Sequence, residues 1–188
     1  HFVLVKRDRE GSTMTIAVLE NALSKEQCDY LISLAKNKWN TGITTDSIHQ
    51  SARKSDICWI QDDDIKKKVT DLYSAANETA QWNFDIWGIE DIQIARYRRG
   101  EFYSWHTDGN GIRPIPCEPT IVRKMSMSIL LNDDYTGGEL EIKESPNKIP
   151  NTMGTIIVFP SYFMHRVKPV KRGTRYSLVA WFGGPKFI

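Results

Sequence analysis

The chain lacks an apolar run of membrane length. Its longest, "GTIIVFP" and "SLVAWF", have the length of one β-strand, whereas a spanning helix needs about 20 apolar residues. It also lacks a dominant charge. Its 25 Lys and Arg against 23 Asp and Glu leave a net +2, too little for a phosphate-binding stripe or an anionic lipid surface, so neither nucleic acid nor membrane is an expected partner. A cysteine framework is missing: Cys28, Cys58 and Cys117 are odd in number and far apart, which excludes a closed disulfide set and a close-paired zinc site. They read as reduced thiols of a cytoplasmic protein, with Cys28 in the core. No basic-then-apolar leader opens the sequence, and His1 reads as the edge of a trimmed chain or a tag remnant. Repeats, low-complexity tracts and interdomain linkers are absent too, so residues 1–188 are expected to form a single domain, large enough to bury a core.

What is there falls into two halves. "TIAVLENALSKEQCDYLISLAKN" reads as a strand and then a helix, with Ser24 and Gln27 at capping-box spacing and Cys28, Leu31, Ile32 and Ala35 at helical intervals. "DDDIKKKVTDLYSAANETA" places acids in a first turn and Ile65, Val69, Leu72, Tyr73 and Ala76 on one face, predicting a second amphipathic helix. Between them lie the aperiodic polar stretch "NTGITTDSIHQSARKSD", expected to be an exposed loop, and the short strand "ICWI". From residue 90 on, "DIQIARYRR", "FYSWH", "KMSMSILLN", "GELEIKE", "GTIIVFP", "HRVKPV" and "RYSLVAWF" are separated by Gly, Pro, Asn and Asp clusters. Helices first and many short strands later predict a mainly β fold with supporting helices: a double-stranded β-helix, or jelly roll, with helices packed on one sheet.

Histidine is scarce, with four in the chain, and one stands two residues before an aspartate in "YRRGEFYSWHTDG". On a strand such a pair shares a face at about 7 Å spacing, so His106 and Asp108 can converge on an ion. Alone, the pair is equally a solvent-facing accident. His165, after the apolar strand "TIIVF" and the turn "PSYFM", supplies a second imidazole. Two imidazoles and one carboxylate are the facial set of non-haem Fe(II) oxygenases, with catalytic zinc as the chemical alternative.

Arg175 lies ten residues further on. "RYSLVAWF" alternates, putting Arg175, Ser177, Val179 and Trp181 on one face and Tyr176, Leu178, Ala180 and Phe182 on the other. The apolar face can pack beneath the helices. An arginine and a serine facing into a barrel are costly unless an anion meets them, and a dicarboxylate chelating the metal at one end would offer its far carboxylate to the guanidinium. The competing account is a surface salt bridge. Tyr97 either donates its phenol to the same carboxylate or simply packs on a sheet.

Taken together, "ARKSDICWI", "YRRGEFYSWHTD", "LNDDYTGGELEI" and "GTIIVFPSYFMHRVKPVKRGTRYSLVAWF" resemble the iron(II)- and 2-oxoglutarate-dependent dioxygenases of the prolyl/lysyl hydroxylase type, over about residues 50 to 182. The resemblance implies that His106, Asp108 and His165 ligate Fe(II), and that Arg175 and Tyr97 bind the distal carboxylate of 2-oxoglutarate. It places Trp181 near the cosubstrate, with Ser177 on the same face, and Tyr103 and Arg123 near a peptide. It further implies dioxygen as cosubstrate, ascorbate as reductant, and hydroxylation of an unactivated C–H bond on a peptidyl prolyl or lysyl residue, with release of succinate and carbon dioxide. Asp108 itself favours hydroxylation, because related halogenases have a small residue in its place. "DDYTGGELEI" is a structural signature to which no chemistry is assigned. Two alternatives stand beside this reading: the same chemistry on a small molecule or nucleobase, and a non-catalytic jelly-roll binding module. The ending "RGTRYSLVAWFGGPKFI" lacks the arginine-rich pattern of the nucleic-acid demethylases, and the near-neutral charge points the same way. "GNGIRPIPCEPT" and the polar stretch after residue 40 are expected to govern substrate access, with His49 a solvated loop residue.

Overall fold

A computed structural model describes residues 3–6, 15–42, 52–109, 121–145 and 147–186. Strands β1 (Val3–Lys6) and β2 (Thr15–Leu19) lead into helix α1 (Lys25–Leu34). Its capping box forms as expected: Gln27 N–H donates to Ser24 Oγ at 3.3 Å and Ser24 N–H to Gln27 Oε1 at 2.8 Å, satisfying two orphan donors of the first turn. Asn37, at φ +63°, turns the chain out of the helix. Two-residue strands β3 (Asn40–Thr41) and β4 (Arg53–Lys54) follow, then β5 (Asp56–Ile60) and helix α2 (Asp63–Thr79), capped by Asp62 accepting from Ile65 N–H at 2.9 Å. The remaining strands are β6 (Gly88–Ile89), β7 (Ile92–Tyr97), β8 (Phe102–His106), β9 (Val122–Leu130), β10 (Thr136–Gly137) and β11 (Leu140–Ile142). They continue with β12 (Ile156–Pro160), β13 (His165–Val167), β14 (Val170–Arg172) and β15 (Arg175–Gly184). No helix among the described residues is long and apolar enough to cross a membrane.

The strands assemble into a nine-stranded sheet, ordered β1-β2-β12-β9-β15-β7-β5-β3 with β6 also on β15, and a four-stranded sheet, ordered β11-β13-β8-β4. A two-stranded ribbon joins β10 to β14. Period-two alternation decides which face of the large sheet each side chain occupies. Met125, Met127 and Ile129 of β9, Ile92 and Ile94 of β7, Ile156 and Val158 of β12, and Leu178, Ala180 and Phe182 of β15 all join one core with the helix residues Cys28, Leu31, Ile65, Val69, Tyr73 and Ala76. In that layer Tyr73 stacks on Phe182, ring centroids 4.3 Å apart. The opposite faces of the same strands contribute Ala95, Tyr97, Leu130, Ile157 and Phe159 to a second core, shared with Leu140, Ile142 and Val167 of the small sheet. The expected arrangement, a jelly roll with helices on one sheet, is the one observed.

Three details differ from the sequence reading. The polar stretch after Trp39 is not loop throughout: its ends form β3 and β4, because Asn40–Thr41 pairs with β5 and Arg53–Lys54 with β8. Residues 43–51, His49 among them, lie outside the described residues, as do 110–120 with Cys117. "HRVKPV" is two strands, not one. Pro169 has no N–H to give a ladder, and the chain leaves β11 after Val167 to pair with β10 from Val170. "GELEIKE" is strand only over Leu140–Ile142, because Gly137 and Gly138 stand at φ +73° and +65°.

Candidate active site

The small sheet brings distant residues together by register. His106 ends β8 and His165 begins β13, and the two pair directly across the ladder. Asp108 follows β8 by two residues, held where the chain turns because its N–H and that of Gly109 both donate to the Ser161 carbonyl, at 2.8 and 2.9 Å. One ligand atom from each of the three residues lies within 4.8 Å of the others. Asp108 Oδ1 is 3.6 Å from His106 Nε2, and Oδ2 is 3.4 Å from His165 Nε2.

The surroundings fix both the tautomers and the charges. His106 Nδ1 meets the Ser104 carbonyl at 2.8 Å and His165 Nδ1 the Phe163 carbonyl at 2.9 Å. A carbonyl only accepts, so each Nδ1 carries a proton and each ring turns its Nε2 toward Asp108. Burial, reinforced by His165, pushes the His106 imidazole down to about 4. Burial opposes ionisation of Asp108, yet His165, by charge and hydrogen bond, and His106 hold its carboxyl well below the usual carboxylate range. His165 is displaced upward: burial disfavours its charged form, and the Asp108 carboxylate outweighs that. Ser126 donates to Asp108 Oδ2 at 2.7 Å and shares a hydrogen bond of 2.9 Å with Ser161, so the carboxylate cannot swing freely. Two imidazoles presenting Nε2 and an oriented carboxylate form a donor set for a divalent first-row metal with open positions once the Nε2 atoms are free of protons.

The three residues line a cavity of about 190 Å³ between the sheets, and every other residue singled out from the sequence lines it too: Tyr97, Tyr103, Arg123, Arg175, Ser177 and Trp181. Tyr103 stacks on His106 with centroids 3.5 Å apart, and burial raises its phenol to about 12, so it stays protonated. Arg123 clasps Glu90 through two hydrogen bonds of 2.5 and 2.6 Å while its guanidinium lies 4.1 Å over the Trp181 ring.

Arg175 is 1% exposed. It stands opposite Tyr97 across the β15–β7 pair, with its guanidinium 5.6 Å over the Tyr97 ring, and Nη1 donates to Ser177 Oγ at 2.8 Å. Nε has no hydrogen-bond partner, and no carboxylate among the described residues is within ion-pair distance. The surface salt bridge considered from the sequence is thereby excluded for the described residues. A buried guanidinium without an anion is unfavourable by several kcal/mol in order of magnitude (about 3–5), so this end of the cavity is built for an anionic group.

Sequence reasoning missed several lining residues. Gln93 shares the inward face of "IQIARY" with Tyr97, and Ser126 and Ser128 interrupt an otherwise apolar strand; both signals were legible. Arg53, whose guanidinium lies 4.8 Å over Tyr103 and bonds Ser55 and Gln93, stood in a quoted motif without a role. Trp59 stood in the same motif, also without a role, and Glu90, the partner of Arg123 rather than a lining residue, gave no signal.

A family model described as the 2OG-Fe(II) oxygenase superfamily matches residues 92–183. A PKHD-type hydroxylase of Idiomarina loihiensis is 34% identical over 98 residues, covering 50% of this chain and 42% of the relative. A PKHD-type hydroxylase of Saccharophagus degradans is 28% identical over 178 residues, 87% of this chain and 76% of the relative. The chain thus matches less than half the length of the first of these. Among solved structures, the viral collagen prolyl hydroxylase vCPH from Paramecium Bursaria Chlorella virus-1, in its 2OG complex, superposes with a TM-score of 0.71 at 23% identity, over 95% of this chain and 99% of that one. At that identity the likeness speaks for the fold.

Proposed function

We propose that this chain, whose residues 92–183 match the family model of the 2OG-Fe(II) oxygenase superfamily, is a single-domain Fe(II)- and 2-oxoglutarate-dependent dioxygenase that hydroxylates an unactivated C–H bond of a peptidyl prolyl or lysyl residue, releasing succinate and carbon dioxide. The observation that carries the reading is the pairing, in one cavity, of a converging His-Asp-His donor set with a buried guanidinium that has no carboxylate partner among the described residues. Fe(II), 2-oxoglutarate and dioxygen supply the oxidative decarboxylation and the oxidising power for the hydroxylation.

The residues have separate tasks. His106, Asp108 and His165 hold the metal through the two Nε2 atoms and the carboxylate, and Ser126 and Ser161 keep that carboxylate in its rotamer. Arg175 takes the distal carboxylate of 2-oxoglutarate, with Tyr97 and Ser177 beside it, and the apolar wall of Leu140, Phe159 and Val167 excludes water around the chain between the two ends. Trp181 borders the same space, and Arg123, fixed by Glu90 and stacked on Trp181, presents a rigid polar rim with Tyr103 toward the substrate. The names of the PKHD-type relatives favour hydroxylation, and that of the collagen prolyl hydroxylase favours a peptidyl substrate.

The test is turnover. With Fe(II), ascorbate and 2-oxoglutarate, the protein is expected to release succinate slowly without substrate, and to add 16 Da (about one oxygen atom) to a proline- or lysine-containing peptide. His106→Ala and Asp108→Ala should abolish both. Metal-loaded protein that neither binds nor consumes 2-oxoglutarate would sink the reading.

A further inference from the structure

The turn "LNDDYTGGEL", residues 131–140, runs from the end of β9 through β10 to β11, and two of its side chains, Asn132 and Tyr135, meet Arg175 or the backbone on either side of it. Asn132 brackets the arginine along the backbone: its Nδ2 donates to the Thr174 carbonyl at 2.7 Å, and its Oδ1 accepts from Tyr176 N–H at 2.7 Å. Leu131 N–H adds a bond of 3.0 Å to the Tyr176 carbonyl. The residues before and after Arg175 are therefore both tied to one side-chain amide, which leaves the arginine's own φ and ψ little freedom.

The side chain is framed by the same turn. Tyr135 is 7% exposed, and its hydroxyl donates to Asn151 Oδ1 at 2.7 Å. With that proton committed to Asn151, the phenolic oxygen offers its lone pairs elsewhere. Burial raises the Tyr135 phenol, and the Arg175 guanidinium beside it works against that rise, by its charge and as a hydrogen-bond donor. Gly138 makes room for the arm. A Cβ there would stand 3.1 Å from Arg175 Cδ, 3.3 Å from Tyr135 Cε2 and 2.9 Å from Val170 Cγ2, and the residue's φ of +65° is one that side chains avoid. Gly173, two residues before Arg175, likewise lets the backbone pass 3.1 Å, measured from an added Cβ, from Tyr135 Cα.

We propose that this turn is the seat of the cosubstrate-anchoring arginine, with Asn132, Tyr135, Asn151 and Gly138 acting as positioning residues that set the guanidinium's pose toward the distal carboxylate of 2-oxoglutarate. The proposal rests on the functional reading above. It gives the turn a task that packing alone does not: an unframed arginine on a four-bond arm loses rotamer freedom on binding, and a frame removes that cost beforehand.

The measurement is calorimetric binding of two 2-oxo acids to Mn(II)-loaded protein, a loading that allows no turnover. 2-Oxoglutarate carries the distal carboxylate; pyruvate offers the same chelating head without it. Wild type should bind 2-oxoglutarate the more tightly. Tyr135→Phe keeps the ring and removes only the hydroxyl, and should raise the 2-oxoglutarate dissociation constant by about 5- to 20-fold, as expected for losing a hydrogen bond to a charged group. Pyruvate binding should stay within about 2-fold, since no charged partner of pyruvate is disturbed. Gly138→Ala should reduce the preference further. If wild type binds both acids equally, Arg175 does not grip the distal carboxylate and the functional reading is what fails. If wild type shows the preference and Tyr135→Phe keeps it, the seat is refuted while the functional reading survives. Equal weakening toward both acids, with a lowered melting temperature, would mark the turn as merely structural and also overturn the proposal.

Discussion

Replacing Arg175 by methionine separates stability from function. The guanidinium is 1% exposed, bonds Ser177 through Nη1, and leaves Nε without a partner. An uncompensated buried polar N–H disfavours the fold by about 1–3 kcal/mol, and desolvation of the charge adds a further unfavourable amount, several kcal/mol in order of magnitude (about 3). Methionine fills a similar volume with a flexible apolar chain. Against that gain, Ser177 loses its donor, about 1 kcal/mol. The net should be a metal-free Arg175→Met protein more stable than wild type by about 3–5 kcal/mol, a rise of about 6–20 °C in melting temperature for a chain of this size. The same variant should lose 2-oxoglutarate binding by at least about 100-fold, since a charge-assisted bidentate contact disappears. Thermal melts in EDTA, with and without Mn(II) and 2-oxoglutarate, read both effects. A variant that melts below wild type in EDTA would mean that the guanidinium is already satisfied in the free protein, and the inference from its missing counter-ion would be wrong.

Ser126→Ala removes the donor to Asp108 Oδ2 and frees the Ser161 hydroxyl. Metal affinity should fall about 10- to 100-fold, the usual effect of losing an outer partner of a ligand, measured by Mn(II) electron paramagnetic resonance titration; unchanged affinity would show that the backbone alone orients the carboxylate. Ser24→Ala deletes the α1 cap far from the cavity. It should lower stability in urea by about 1 kcal/mol without altering 2-oxoglutarate binding, and a changed affinity would reveal coupling between helix layer and site that the packing does not suggest.

Much of this was readable from residues. Strand alternation after residue 90 predicted which side of β15 faces the helices, and Leu178, Ala180 and Phe182 do sit in that core while Arg175, Ser177 and Trp181 line the cavity. The capping box fixed the start of α1 because both of its bonds are local. The features that escaped depend on register between strands far apart in sequence. Even the meeting of His106 and His165, which the family resemblance implied, rests on the β8–β13 pairing, which no local pattern encodes. Glu90 finds Arg123 across 33 residues, and Asn132 finds Tyr176 across 44. The break at Pro169 was legible in principle, since a proline inside an apparent strand demotes it, but only the partner strands reveal that the chain changes ladders there.

Register also explains why the cavity can hold charges that a core would reject. The helix-facing layer of the large sheet puts Met125, Met127, Ile129, Leu178, Ala180 and Phe182 into an apolar cluster with the helices, so it can supply the apolar burial that stabilises the fold. The inward layer is thereby free to carry Arg175, Ser126, Ser128 and Gln93 within a few strands of one another, lining one cavity with His165 of the small sheet. His165 faces Asp108, whereas Arg175 is held by the Ser177 hydroxyl, with its flanking backbone tied to the 131–140 turn and no carboxylate at ion-pair distance among the described residues. Compensation by neutral partners orients a charged group without neutralising it. A guanidinium framed in this way, on one rigid strand across from donors on another, can hold a diacid at a distance set by the sheet spacing, and a salt-bridged arginine in the same place could not.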